Sequence, residues 1–280
     1  MNHLLFSQVS DTYKAYAQLA NEYYDKKDYA NASAFYSMAF YTMHDKGIPD
    51  DRYRAAIAYS SLNQFDSAFK NLIRLAEKTE FLNCETTEAQ PEFQKLKSDP
   101  RWTRVRNSTC GTNYELHKVL AQIHYSDQTP RTKLESISEK FGPNSPQMDS
   151  LWVIIGRNDE VNLQRIDSIY RMHGWPSEKM VGKECNITFW LVIQHSPLYV
   201  QERYFPLMQL AVLRENARAR DCAYLEDRIL IGKKLPQKYG TQYRVRVTDN
   251  KKSKSRLYRL QDKQRVNDYR KEVGLPPLSK

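Results

Sequence analysis

The chain has 280 residues, of which 40% are hydrophobic and 12% aromatic, and it carries a net charge of +10. This composition predicts one large or two modest globular domains and argues against a disordered chain. It also argues against a membrane-spanning helix, because no apolar run approaches the roughly 20 residues that a bilayer requires. The charge is uneven: residues 231–280 hold 15 basic and 4 acidic side chains, which favours an anionic partner.

The opening stretch and the cysteines bear on the compartment. MNHLLFSQVSD has no basic segment ahead of an apolar one, so no signal peptide is predicted. We expect a soluble protein, cytoplasmic as the chain stands and periplasmic if a leader was removed. The four cysteines form no CxxC pair, so a structural zinc site is not expected, and because HExxH and GxGxxG motifs are also missing, no other metal and no cofactor is expected. Cys84 and Cys110 could pair in an oxidising compartment, and reduced thiols are the alternative.

Two helical hairpins with the spacing of tetratricopeptide repeats are predicted within residues 1–112. Small residues let paired helices approach closely, and tyrosines fill the gaps between hairpins. The carriers of the pattern are Leu19, Ala20, Tyr23, Tyr29, Ala32, Tyr36 and Ala39, then Ala56, Tyr59, Phe65, Ala68 and Leu72. The hairpins resemble tetratricopeptide repeats, which implies a groove for a peptide or a partner protein. A structural buttress is the alternative, since two hairpins are too few for a free-standing array.

We predict a second, mainly helical domain over residues 113–280. Its first helix should break near Pro130, because proline costs a helix one backbone hydrogen bond. The next stretch predicts a short apolar helix and then a longer amphipathic one that ends at Gly174. We expect Asn186 to cap the helix ITFWLVIQH, which is apolar on every side and therefore buried.

The buried helix ends in Gln194 and His195, where Pro197 favours the start of a new helix. Polar groups at such a corner can face a cleft while the apolar body stays in the core. A further helix is predicted with Asp221 as its cap, and a last helix before Gly274. Alternating residues in YRVRVT and in SRLYRL predict two strands. The predicted fold is mainly α: two tetratricopeptide-like helical hairpins followed by an α-helical domain carrying a small C-terminal β-hairpin.

Several short polar motifs stand in a fixed order through this domain. They are DQTPR with Asp127, Gln128 and Arg131; Gly174-Trp175-Pro176; Gln194-His195; Asp227-Arg228; PQKYGTQ with Gln237, Tyr239, Gly240, Thr241 and Gln242; and Arg270 with Gly274-Leu275. With these motifs the chain resembles a family of uncharacterised bacterial proteins over roughly residues 114–280. It departs from the pattern at Lys234 and Tyr269, where relatives tend to have glycine and arginine. The resemblance implies a shared polar site and no established activity.

A site for a polar or anionic ligand follows as a hypothesis if these motifs converge. His195 would then be a catalytic acid or base tuned by Asp227. The expected ligand-binding residues are Asp127, Gln128, Arg131, Gln194, Arg228, Gln237, Tyr239, Thr241, Gln242 and Arg270. Because no nucleophile stands out, this interpretation favours hydrolysis by activated water or transfer without a covalent intermediate.

The sequence leaves open whether the chain is an enzyme at all. The alternative is a non-catalytic tetratricopeptide adaptor for protein–protein interaction, in which the polar residues form a structural network. The run KKSKSRLYRLQDKQR could lie along phosphates. A solvated charged face explains such a run more simply, so nucleic acid is not the expected partner.

Overall fold

The computed structural model describes residues 10–244, 247–248, 251–252 and 256–278. It divides between Tyr114 and Glu115 into two compact units, two residues beyond the boundary expected from the sequence. In the described part of the chain, no helix combines the length and the apolar character needed to cross a membrane.

The first unit consists of paired helices. Its elements are α1 (Asp11–Asp25), α2 (Tyr29–Thr42), α3 (Pro49–Ser61), α4 (Phe65–Lys78), α5 (Cys84–Ala89), a 3₁₀ helix (Pro91–Ser98) and α6 (Arg101–Cys110). The helices α1 and α2 pack as one hairpin, and α3 and α4 pack as a second, so the predicted pair of helical hairpins is confirmed.

Local sequence explains where these helices start and how they pack. The side chains of Ser10 and Asp28 accept hydrogen bonds from backbone N–H groups in the first turns of α1 and α2, as N-caps do. Fully buried alanines, among them Ala20 and Ala32, allow close helix contact, and the buried ring of Tyr36 fills the space beside them. The hydrophobic core of this unit continues into Phe93 and Trp102.

A disulfide joins Cys84 at the start of α5 to Cys110 at the end of α6. The sequence left the state of these two cysteines open, and the structure has them bonded. The other two, Cys185 and Cys222, are free and buried.

The second unit is helical with a small antiparallel pairing of strands near its end. Its helices are α7 (Tyr114–Arg131), α8 (Leu134–Phe141), α9 (Pro146–His173), α10 (Glu178–Asn186), α11 (Thr188–His195), α12 (Leu198–Leu213), α13 (Ala219–Gly232) and α14 (Val266–Glu272). Its strands are β1 (Tyr243–Arg244), β2 (Val247–Thr248), β3 (Lys251–Lys252) and β4 (Arg256–Leu257). The strand β1 pairs with β4 and β2 pairs with β3, which confirms the predicted hairpin, although Val245 and Arg246 lie outside the described residues.

Three boundary predictions can be compared directly. The break near Pro130 is confirmed, since α7 ends one residue later. The prediction of two helices before Gly174 is wrong, because α9 is a single helix of 28 residues. Its only proline is its first residue, so no proline interrupts the helix. Gly156 lies inside the helix and does not break it; an added Cβ there would meet nothing within 4 Å. Gly174 ends the helix with a φ of 67°, as expected.

Two predicted caps are also wrong. Asn186 does not cap α11; its amide nitrogen instead donates to the carbonyls of Pro176 and Asn216, 2.9 and 2.8 Å away, and so joins two loops. The cap position of α13 is Arg218, and Asp221 lies in the first turn, where its carboxylate accepts from the Arg218 guanidinium. Acidic residues are favourable both at a cap and in the first turn, so the sequence did not separate the two positions.

Candidate functional site

The centre of the candidate site is a histidine–aspartate pair. His195 is the last residue of α11, and its Nδ1 lies 3.2 Å from Oδ1 of Asp127 on α7. Asp127 is fully buried, whereas 20% of the His195 side chain is exposed. In the described part of the chain, His195 Nε2 has no hydrogen-bond partner. When Nδ1 donates its proton to Asp127, Nε2 carries a lone pair that no described residue uses.

Two further side chains donate hydrogen bonds to Asp127. Arg131 donates to the backbone carbonyl of Asp127 at 2.7 Å and to its Oδ1 at 3.3 Å. Gln128 donates to Oδ2 at 2.5 Å. The second guanidinium nitrogen of Arg131 lies 2.8 Å from both oxygens of Asp159 on α9. One continuous network of hydrogen bonds therefore links the side chains of His195, Asp127, Arg131 and Asp159.

The pKa of Asp159 reflects this position. Burial raises the pKa of its carboxyl above the ordinary value, although the hydrogen bonds and the charge of Arg131 act in the opposite direction. The partly buried carboxylate of Asp159 thus balances the positive charge of Arg131. Its proton affinity in the folded chain exceeds that of a solvated aspartate.

Sequence reasoning missed the contribution of α9 to this site. Besides Asp159, α9 supplies Asn158, which donates to the Ser126 carbonyl at 2.8 Å, and Asn162, which accepts from the Ser126 hydroxyl at 2.9 Å. Asn162 is 1% exposed, and its side-chain nitrogen is buried with no hydrogen-bond partner. A signal was present, because Asn162 occupies a place in the otherwise apolar stripe of Ile155 and Ile166.

Arg228 on α13 is a half-buried cation beside the pair. Its Nη1 donates to the backbone carbonyl of Gln194 at 3.1 Å, and Gln194 immediately precedes His195. Burial lowers the pKa of the Arg228 guanidinium. Among the described residues no carboxylate pairs with Arg228, in contrast to Arg131 and Arg203. A half-buried charge without a counter-ion is costly.

A donor without a partner lies one helical turn away along the same two helices. Trp190 precedes Gln194 by one turn on α11, and its ring meets that of Tyr224, one turn before Arg228 on α13. The indole nitrogen of Trp190 is buried and has no hydrogen-bond partner. The interface between α11 and α13 therefore holds an indole N–H without a partner and a guanidinium without a carboxylate partner among the described residues.

The expectation that Asp227 tunes His195 is corrected by the structure, because Asp127 holds that position. Asp227 is fully buried, and its oxygens accept hydrogen bonds from the backbone N–H groups of Lys238, Tyr239 and Thr241 at 2.7 to 3.2 Å. The Thr241 hydroxyl adds a further bond at 2.9 Å. The hydrogen bonds of Asp227 therefore hold the loop after α13 in place, while its neighbour Arg228 contacts α11.

The remaining predicted ligand-binding residues form a separate cluster around this loop. Gln237 is fully buried and donates to the carbonyls of Gln242 and Tyr258, both at 3.0 Å, while its own oxygen accepts from the Gln242 N–H. Arg270 donates to the carbonyls of Tyr239 and Pro276 at 2.7 and 2.6 Å. The polar contacts of these residues are thus internal to the loop and the segments that hold it. The polar motifs form two clusters, and α13 contributes to both.

Fold and site define a mainly helical protein whose second unit carries a partly exposed histidine on a buried aspartate. Residues 115–280 match the model of a family of unknown function, DUF6624, and the chain belongs to that family. This confirms the expected resemblance of this part of the chain to a family of unknown function. The match does not extend to the helical hairpins of the first unit. No curated protein and no solved structure matches the chain.

Proposed function

We propose that the second unit binds a small polar or anionic ligand and that His195 acts on it as a general acid or base. The observation that carries the proposal is the hydrogen bond from His195 Nδ1 to the buried Asp127. This bond fixes the ring and its tautomer, and it leaves the lone pair of Nε2 for the ligand. Side chains held this way abstract and return protons efficiently.

Arg228 supplies the second element of the proposal. Its half-buried guanidinium lies beside the residue that precedes His195 and has no carboxylate partner among the described residues. A phosphate or carboxylate on the ligand would restore the missing negative charge. Arginine suits this role because its planar group can donate two parallel hydrogen bonds to one oxyanion.

We further propose hydrolysis or transfer without a covalent enzyme intermediate. The free thiols of Cys185 and Cys222 are buried, and burial raises the pKa of each to about 12, so neither ionises at neutral pH. Ser196, next to His195, donates its hydroxyl proton to the Val192 carbonyl at 2.9 Å. In hydrolysis, a water oxygen would bond to the electrophilic atom of an ester and give its proton to Nε2. The imidazolium would then return that proton to the departing oxygen.

The test uses p-nitrophenyl phosphate and p-nitrophenyl acetate as probes with the full chain. We expect the wild type to hydrolyse at least one of them and His195→Gln to lose about 100-fold or more of that turnover. His173→Gln, at an exposed position, is the matched control and should keep it. The melting temperature of both variants should stay near that of the wild type. No turnover by the wild type, or equal turnover by the two variants, would contradict the proposal.

A second candidate is a non-catalytic adaptor of the tetratricopeptide type. Buried small residues such as Ala32, Ala39 and Ala68 stand at the repeat spacing in the two hairpins, and this spacing favours the candidate. The internal pairing of the loop cluster also supports it, since those polar residues have a structural use. An adaptor would hydrolyse neither probe, and His195→Gln would leave its partner binding unchanged.

The disulfide supports an oxidising compartment such as the periplasm, because such bonds persist where thiols are not kept reduced. Thiol labelling tests this. In chain purified without reductant, we expect no rapid labelling when folded, two reactive thiols after unfolding, and four after unfolding and reduction. Four thiols after unfolding alone, in chain taken directly from its own cells, would place the protein in a reducing compartment.

A further inference from the structure

The first unit contains a cleft that is independent of the His195 site. Its volume is about 640 Å³, within the range of small-molecule sites. Ser37 and Tyr41 of α2 line one side, and Ser67 and Lys70 of α4 line the other. The turn after α2, with Asp45, also lines it.

Positive charge exceeds negative charge in the cluster around Asp45, of which Asp45 and Lys70 line the cleft. The carboxylate of Asp45 lies 3.2 Å from Arg52, 3.2 Å from Lys70 and 3.0 Å from Arg74. One negative charge therefore faces three positive ones. The Lys70 side chain is 63% exposed and that of Arg74 is 38% exposed, so both can reach a further anion.

The third cation is fixed beneath the cleft. Arg52 is 2% exposed, donates to Asn71 Oδ1 at 2.8 Å and to the Asp45 carbonyl, and lies 4.6 Å from the Phe40 ring centre. Burial, and after it the charge of Arg74, lowers the pKa of Arg52. The cluster thus holds more positive charge than its single carboxylate balances. Because Arg52 cannot turn away into water, the excess is built into the fold.

The surroundings suit the body of a ligand. The hydroxyls of Ser37 and Tyr59 lie 2.6 Å apart on the wall, and Tyr59 also donates to the Ser33 carbonyl at 3.1 Å. At the edge, Tyr41 is 86% exposed, which is unusual for so large a side chain. Aromatic rings together with a few fixed polar groups are typical of the lining of small-molecule sites.

We propose that this cleft binds an oxyanion, the carboxylate or phosphate of a small molecule or of an acidic peptide. The anion binds Lys70 beside Asp45, where the excess charge of Arg52 and Arg74 stabilises it, and the rest of the ligand packs against Tyr41. The first unit is then a ligand-binding module in its own right. This holds whether or not His195 is catalytic.

The experiment measures binding of inorganic phosphate and of deca-glutamate to the full chain by calorimetry. Every chain carries Arg228→Gln, so that anions bound near His195 do not contribute. We expect Lys70→Glu to weaken binding at least tenfold. Lys78→Glu, an exposed position two turns further along α4, makes the same change of charge and should alter binding less than twofold.

The outcomes separate the sources of the anion. Phosphate binding without peptide binding identifies a small molecule, and tighter peptide binding identifies an acidic protein segment. No binding of either probe at millimolar concentration overturns the proposal, as does an equal effect of the two lysine variants. Arg74→Gln serves as a second variant if Lys70→Glu does not fold. Hydrolysis of the nitrophenyl probes is a separate measurement, so either proposal can fail alone.

Discussion

Asp127 and His195 are 68 positions apart in the chain, and their side chains meet at 3.2 Å with the carboxylate fully buried and the imidazole partly exposed. Asp127→Asn removes the charge of the carboxylate and leaves Arg131 with Asp159 as its remaining carboxylate partner. We expect a loss of about 3 kcal/mol in the free energy of unfolding, since one partner of a buried ion pair is removed. Urea unfolding followed by circular dichroism measures it.

The same variant tests catalysis. Without the carboxylate the imidazole is no longer held in its tautomer, so turnover of the nitrophenyl probes should fall about as far as in His195→Gln. Asp167→Asn is the control, because Asp167 pairs with Arg203 and Tyr204 on another part of the second unit. Full turnover by Asp127→Asn would show that the pair has only a structural use.

Arg228→Met should stabilise the chain while removing ligand binding. The substitution replaces a half-buried cation that lacks a counter-ion with an apolar side chain of similar length. We expect a gain of about 1 kcal/mol in the free energy of unfolding, together with loss of phosphate binding at the second unit. Calorimetry in a Lys70→Glu background isolates that binding. A destabilised variant would mean that the bond to the Gln194 carbonyl outweighs the cost of the buried charge.

Gly240→Ala should destabilise the loop that Asp227 holds. Gly240 has a φ of +69°, and an added Cβ would lie 2.7 Å from Leu278 and 3.1 Å from Leu260. We expect a loss of about 2 kcal/mol from backbone strain and crowding together. Gly156→Ala, inside α9 with nothing within 4 Å, should instead gain up to about 1 kcal/mol. Equal effects of the two changes in thermal unfolding would contradict this account.

The carboxyl group of Glu88 makes the free energy of unfolding of the first unit depend on pH. Burial acts to raise the pKa of its carboxyl, but the hydrogen bonds from Arg106 and Lys97 outweigh it and hold the pKa below the ordinary value. The folded state therefore binds this proton less tightly than the unfolded state. The resulting stability is fully present above the unfolded pKa of about 4.3 and is lost as the pH falls through the folded pKa.

The measurement compares unfolding of the wild type with Glu88→Gln from pH 7 to pH 3. At neutral pH we expect the variant to be about 2 kcal/mol less stable, and the difference should shrink below about pH 4. Glu85→Gln, at an exposed position on the same helix, should stay within about 0.5 kcal/mol of the wild type. A difference that does not change with pH would mean that Glu88 acts through packing alone.

The features that were predictable from the sequence rest on local chemistry. The hairpins follow from the spacing of residues such as Ala32 and Tyr36, and the end of α7 follows from Pro130. His195 was found because a polar pair at the end of an apolar helix needs partners. Each of these signals lies within one or two turns of chain.

The partner of His195 was not predictable in the same way. Asp127 and Asp227 are both buried aspartates beside an arginine or a glutamine, and only the place where α7 meets the last residue of α11 decides between them. Asp159 was hidden in a charged run, where one residue of several turns inward. The polar side chains converge through contacts between distant segments, and no local pattern specifies which helix faces meet.

The adjacency of Asp227 and Arg228 has a practical consequence for detecting ligands. One residue fixes the N–H groups of Lys238, Tyr239 and Thr241, and the next reaches the last turn of α11. A ligand that pulls on the guanidinium must shift the same turn of α13. Deuterium uptake at those three amides would then report binding of an anion to Arg228, with no substrate analogue required.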